Sequence, residues 1–279
     1  MRDPFISLVF GMTGVGKTYF TLKNVIEKYV EMQKRPVLIL DVNNEFNGTG
    51  DFGPYKAIAY DVDEENEAER VKYIRNIKKP AIYRILARYK NGLEYEDEDM
   101  VRAAVDIFMN FRNGLFLLED INAYITSSVP KGFYSRLTRA RHSGVDIIIH
   151  YQNIGDPHPK ILKNTTVVRL HKTGDSVITF STDKYKDHYE MFRICEHVVK
   201  DEYLKGNIRY YCYLNLRERK ILNVTQEQFK KACALYLSEN QSQFRNIKMQ
   251  RDQNGKLIYA SEEEVFQNFY IEKAKMYFS

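Results

Sequence analysis

The chain has 279 residues, 44% of them hydrophobic, which suffices for one large α/β domain or one domain with a small appendage. Its net charge is +5, from 42 basic and 37 acidic residues, an excess that permits a nucleic-acid partner without arguing for one. The three cysteines, Cys195, Cys212 and Cys233, form no close-spaced pair, and an odd count without a signal peptide reads as reduced thiols in a cytosolic setting. Met1-Arg2-Asp3-Pro4 runs almost directly into a strand pattern, with no secretory segment to read, and no apolar run approaches the ~18–20 residues of a membrane span. A soluble protein is expected.

In chain order, the first apolar run, 6–10, reads as a buried strand. Gly11-Met12-Thr13-Gly14-Val15-Gly16-Lys17-Thr18 follows and fits G-x-x-x-x-G-K-[ST] without a mismatch. A helical pattern then runs over 17–33. Phosphate oxygens need backbone N–H donors at close range, and glycine allows both the approach and the unusual dihedrals. The helix N-terminus adds its positive dipole end. Lys17 is placed for the β- and γ-phosphates, and the Thr18 hydroxyl for Mg²⁺. The nucleotide contacts are therefore Gly11, Thr13, Gly14, Val15, Gly16, Lys17, Thr18 and Tyr19, and the cofactors are ATP and Mg²⁺.

Further strands are predicted over 37–42, 81–86, 115–118, 145–150 and 166–171, with helices over about 97–112 and 132–142. Alternating strand and helix implies an α/β fold with a central, mostly parallel sheet covered on both faces. Residues 47–54 read as a loop, and the acidic runs 61–69 and 94–99 as solvated helix starts or loop tips. Beyond about 175 the pattern changes to a helix over 187–200, a hairpin from 207–216 and 220–224, and a capping box at Thr225-Gln226-Glu227-Gln228 opening a helix to about 238. A turn at 252–255 and a second capping box at 261–264 precede a last helix to about 277. The expected division is a P-loop ATPase core over 1–175 and a small α+β accessory region over 176–279.

The strand 115–118 ends in Glu119-Asp120. A P-loop sheet needs a carboxylate at a strand end to hold Mg²⁺, and a second acid can polarise an attacking water. Position assigns Glu119 to the Mg²⁺ side and Asp120 to the base, although Asp-Glu is the usual order. The strand 145–150 leads into Gln152, a polar tip that can sense a γ-phosphate if its strand lies between the phosphate loop and the acidic pair. A loop residue is the plainer reading of a strand-end Gln taken alone. Cys195-Glu196-His197 is read as coincidence rather than a zinc pair.

At this point the chain resembles the FtsK/HerA superfamily of DNA-pumping ATPases, most of all the small viral genome-packaging ATPases and the ATPase domain of zonula-occludens-toxin-like phage assembly proteins. The phosphate loop Gly11 to Thr18, Asp41-Val42-Asn43-Asn44-Glu45-Phe46 after the second strand, Glu119-Asp120, and the segment Arg139-Ala140-Arg141-His142-Ser143-Gly144 with its apolar strand and Gln152 carry the likeness. It covers about 3–175. The resemblance implies a RecA/ASCE-like sheet in which the Gln152 strand is inserted between the phosphate-loop and acidic strands. It implies a ring, often a hexamer, around DNA, with an arginine finger given in trans. Arg141 matches that position best, with Arg139 and Arg136 in reserve; a basic helix end favoured by its dipole is the plainer account of all three. Unlike the toxin-like proteins this chain shows no membrane span, which favours a packaging motor in the host cytoplasm or on the virion, with a capsid or portal protein as further partner. Lys131, Arg136, Arg139 and Arg141 form one basic set, and Lys205, Arg209, Arg217, Arg219 and Lys220 a second. Either could meet DNA phosphates without reading sequence, and either could be solvated surface. Two other readings remain open: an assembly or export ATPase acting on a protein or virion partner, and a P-loop phosphotransferase with a small-molecule acceptor.

Overall fold

The computed structural model describes residues 4–44, 46, 55–59, 67–89, 91–119, 143–179, 185 and 187–278. Within them one sheet holds nine strands: β1 (Ile6–Phe10), β2 (Val37–Asp41), β3 (Lys56–Ala59), β4 (Ile82–Leu86), β5 (Leu115–Leu118), β6 (Asp146–Tyr151), β7 (Val167–Leu170), β8 (Cys212–Asn215) and β9 (Lys220–Leu222). Their order is β3-β4-β2-β5-β6-β1-β7-β8-β9. Pairing is parallel from β3 through β7 and antiparallel for β8 and β9. The strands β1, β2, β5 and β6 are buried along their whole length, as strands covered on both faces must be. The inserted strand is where the resemblance placed it: β6 pairs with β1 on one side and β5 on the other.

Side-chain alternation divides the core. Ile6, Leu8 and Phe10 point to one face, where they join a cluster that includes Phe116, Phe192 and Phe269. Val9 points to the other, with Leu22, Ile26 and Tyr29. That second face is covered by the first helix, α1, which opens as Lys17–Phe20, widens into a π-helical stretch over Thr21–Ile26, and returns to α geometry over Glu27–Gln33. Periodicity alone predicted an unbroken helix here. A π turn inserts one residue into the helical register, and it leaves no mark in a pattern of apolar spacing. Lys34 ends the helix in the left-handed region, φ 52°.

The first face is covered by α3 (Asp97–Asn110) and α5 (Tyr189–Leu204), among others; α2 is Glu67–Arg75 and α4 is Pro159–Asn164. Three acids fill the first turn of α3, where they complement the helix dipole. Phe108 of α3 meets Phe116 of β5 edge to face at 5.0 Å. The remaining helices are α6 (Gln226–Glu239), α7 (Gln241–Lys248) and α8 (Glu262–Tyr277). Thr225 and Gln228 form the predicted capping box, and Ser261 accepts from the Glu264 N–H. The hairpin β8–β9 extends the main sheet through β7, and the core beneath β1 continues to Val265 and Phe269 of α8. Strands on both sides of position 175 therefore share one sheet. Strand β3 and helices α2, α4 and α7 were not anticipated as such, being short or polar. Asp120, Lys131, Arg136, Arg139, Arg141, the loop 47–54 and the helix expected over 132–142 lie outside the described residues.

Candidate functional site

Two backbone hydrogen bonds anchor the glycine-rich loop to its neighbours. Gly11 N donates to Tyr151 O at the end of β6, and Met12 N to Lys172 O just past β7. Gly14 and Gly16 then adopt φ 85° and 84°, a left-handed geometry that side-chain-bearing residues resist. Val15 is buried beneath the loop, while Thr13 and Gly14 face solvent. Lys17, 8% exposed, turns back over the loop, and its Nζ donates to Gly11 O and, at 3.1 Å, to Met12 O. These carbonyls hold the ammonium at the loop's centre.

The Thr18 hydroxyl donates to Glu119 Oε1, which lies one residue past β5. Glu119 is 3% exposed, and His150 Nδ1 stands 3.3 Å from the same oxygen. His150 Nε2 in turn lies 2.9 Å from Thr21 Oγ1 at the start of the π stretch. Strand β6 thus carries a histidine that bridges the acidic strand and the phosphate-loop helix. A hydroxyl and a carboxylate side by side at a phosphate loop are hard oxygen donors suited to Mg²⁺. Gln152 follows β6 directly and is exposed at the same edge of the sheet.

Beneath the loop lies Arg169, which sequence reading missed. It sits on β7, 2% exposed, facing α1. Its Nη2 donates to Lys17 O at 2.9 Å and to Thr21 Oγ1 at 2.5 Å, its Nε donates to His171 Nε2 at 3.1 Å, and its guanidinium stacks 4.4 Å from the Phe20 ring centroid. Burial pushes its pKa down to about 10, with Tyr213 and Tyr211 opposing the shift. His171 is driven to about 2, first by burial and then by the charges of Arg169, His150 and Lys17. It is therefore a neutral acceptor. The available signal was Val167-Val168-Arg169-Leu170-His171: an arginine and a histidine two apart on one face of an otherwise apolar strand.

The lip of the loop has a further feature. Tyr19 is 40% exposed, and the Arg209 guanidinium lies 5.6 Å from its ring centroid. Of the predicted site residues, then, the structure brings together the loop, Lys17, Thr18 and Glu119, with Gln152 at the adjoining strand end. Among the described residues no helix is long and apolar enough to cross a membrane.

Comparison with known proteins agrees with this arrangement. Residues 7–125 match the family model described as Helicase HerA, central domain. Among solved structures, the genome packaging NTPase B204 of Sulfolobus turreted icosahedral virus 2, in complex with ATPγS, superposes with a TM-score of 0.50 at 12% identity, covering 79% of this chain and 96% of that one. Its AMP complex gives 0.49 at 14% identity over 79% and 96%. The N-terminal domain of zonular occludens toxin from Neisseria meningitidis gives 0.33 at 12% identity, covering 60% of this chain and 76% of that one. Curated protein sequences give no match. The chain has the P-loop NTPase fold of B204, and the resemblance to the FtsK/HerA ATPases holds on the HerA central-domain match over residues 7–125.

Proposed function

We propose that this chain is an ATP-hydrolysing motor that moves DNA, assembled as a ring in which each subunit donates an arginine to its neighbour's nucleotide. The contact between Thr18 and Glu119 across the inserted strand β6 carries this reading, because it joins phosphate loop and acidic strand in one site. The HerA central-domain match and the description of B204 as a genome packaging NTPase support it.

The proposed roles are these. Backbone N–H groups from Gly14 to Thr18 receive the phosphates, and Lys17 leaves the Gly11 and Met12 carbonyls to neutralise them. Thr18 and Glu119 would hold Mg²⁺, whose chemistry there would be charge neutralisation at the phosphates. Asp120, the next residue, takes the proton from the attacking water. Gln152, at the tip of the strand between the two, reads the γ-phosphate. Arg141, with Arg139 and Arg136 beside it in sequence, is the arginine given in trans, and Lys131 and its neighbours meet DNA phosphates.

The test is ATP turnover by the purified protein with and without DNA, alongside Lys17→Ala. DNA-stimulated hydrolysis that Lys17→Ala abolishes is the expected result. Turnover by an assembled protein that ignores DNA would sink the motor reading.

A further inference from the structure

Among the described residues several exposed cations of the C-terminal region bond neighbouring acids or carbonyls. Lys205 bonds Asp201 and Glu202, Lys231 bonds Asp201, and Arg219 donates to Asp187 O. Arg209 differs. No carboxylate among the described residues lies within ion-pair distance of it, and its close contacts are the Tyr19 ring and the phosphate loop itself. A Cβ built on Gly16 would stand 3.5 Å from both Cγ and Cδ of Arg209 and 3.9 Å from its Nε. The stem of Arg209 therefore lies against the loop at Gly16.

The position is held from the backbone up. The turn between α5 and β8 passes through Gly206 at φ 90°, with Asn207 N donating to Glu202 O at 3.0 Å and Tyr210 N to Asn207 O at 3.1 Å. Tyr210 ties the turn to the hairpin and to α6 through Asn223 O at 2.5 Å and Gln228 Oε1 at 3.0 Å. The antiparallel register pairs Cys212 with Leu170, so Tyr211 and Tyr213 alternate onto the α1 face. There Tyr211 packs on Phe20 at 4.5 Å and on Tyr213 at 5.2 Å. Arg209 lies in the turn that leads into this strand, next to the mouth of the loop.

We infer that Arg209 is a nucleotide ligand supplied in cis by the C-terminal region, closing on the phosphate chain at the Gly16 and Tyr19 lip of the loop. The inference rests on the nucleotide-binding reading of the loop and adds a residue outside the HerA-matched segment to it. A polyphosphate carries several negative charges, and the planar guanidinium presents a fork of donors that matches phosphate oxygens. Tyr19 serves as the platform that holds the fork flat at the lip. Occupancy of the site is thereby felt by the turn between α5 and β8, and so by the C-terminal region.

The experiment is calorimetric binding of ATP and of inorganic tripolyphosphate, each with Mg²⁺, to the full chain and to Arg209→Gln, Arg209→Lys and Lys17→Ala. Arg209 is exposed and pairs with no acid among the described residues, so all three forms of position 209 should melt together, and melting curves check this. The expected result is a tenfold or greater loss of affinity for both ligands in Arg209→Gln, largely recovered in Arg209→Lys. Affinities within twofold of the parent would overturn the assignment. So would a loss confined to ATP, which would move Arg209 from the phosphates to the nucleoside. If the parent binds neither ligand the nucleotide reading itself falls, an outcome that is distinct because it appears without any substitution at 209.

Discussion

Arg169→Met is the most informative single change in the fold. Methionine retains much of the stem that packs against Phe20 but removes every donor. Three hydrogen bonds are lost, to Lys17 O, Thr21 Oγ1 and His171 Nε2. Bonds from a charged donor contribute roughly 1.5–3 kcal/mol each, and the low end of that range puts the loss at about 5 kcal/mol. Opposing it is relief from holding a guanidinium out of water: the depression of Arg169 from 12.5 to about 10 corresponds to about 3 kcal/mol against the charged form. The difference predicts a net destabilisation of about 2 kcal/mol at neutral pH. Urea unfolding followed by far-ultraviolet circular dichroism measures it. A variant as stable as the parent, or more so, would refute the reasoning, because the buried charge would then cost the fold more than its bonds contribute.

Acid sensitivity follows from His171. Its folded pKa of about 2 lies below the ordinary 6.5, so the unfolded chain binds the proton first and stability falls as pH drops below 6.5. His171→Gln should flatten urea-derived stability between pH 6 and 4 by about 1.4 kcal/mol per pH unit, leaving the slope from His188 and His197, which burial shifts the same way; an unchanged slope would count against a neutral buried His171. Glu119→Gln should lower ATP turnover by roughly 100-fold or more while stability stays within about 1 kcal/mol, since an amide still accepts from Thr18; near-normal turnover in a steady-state assay would remove Glu119 from the site. Gly114→Ala would drive a methyl into the Phe111 ring and to 2.6 Å from Pro36 O, both at the base of β5. A cost of about 2–3 kcal/mol is expected from urea unfolding, and an unshifted midpoint would contradict the packing described.

What could be read from the chain beforehand depended on how local the cause was. The phosphate loop was legible because its chemistry is written in eight consecutive residues, and the buried strands because a doubly covered strand needs an unbroken apolar run. Glu119 was legible as an acid at such a run's end. The contact of His150 with both Glu119 and Thr21 was not, because it depends on sheet order, which places β6 between two strands distant in sequence. Arg169 and Arg209 were hidden for a related reason. Each reaches the loop only because β7 and β8 lie beside β1 in succession. The Arg169–His171 spacing marks a polar face on β7, but neither it nor an arginine in a turn after a helix says which element that side chain will meet. Strand β3 is four residues long, and helix α7 has eight residues with only Phe244 and Ile247 apolar, too short a run to announce either.

The first helix is riveted to β6 at two places. Thr21 meets His150 near the loop, and Tyr29 donates to Asp146 at 2.8 Å at the far end, where Asp146 also accepts from Phe5 N at 2.9 Å. Eight residues of helix span roughly 12 Å, and four residues of strand roughly 13 Å, so the rivets stand at matching intervals on the two members. Two bars fastened at both ends behave as a single girder. A push at the Gln152 tip cannot bend β6 away from the helix; it must tilt both together. Motion at the phosphate end would then be carried toward the opposite edge of the sheet, where Lys34 and Pro36 turn the chain into β2.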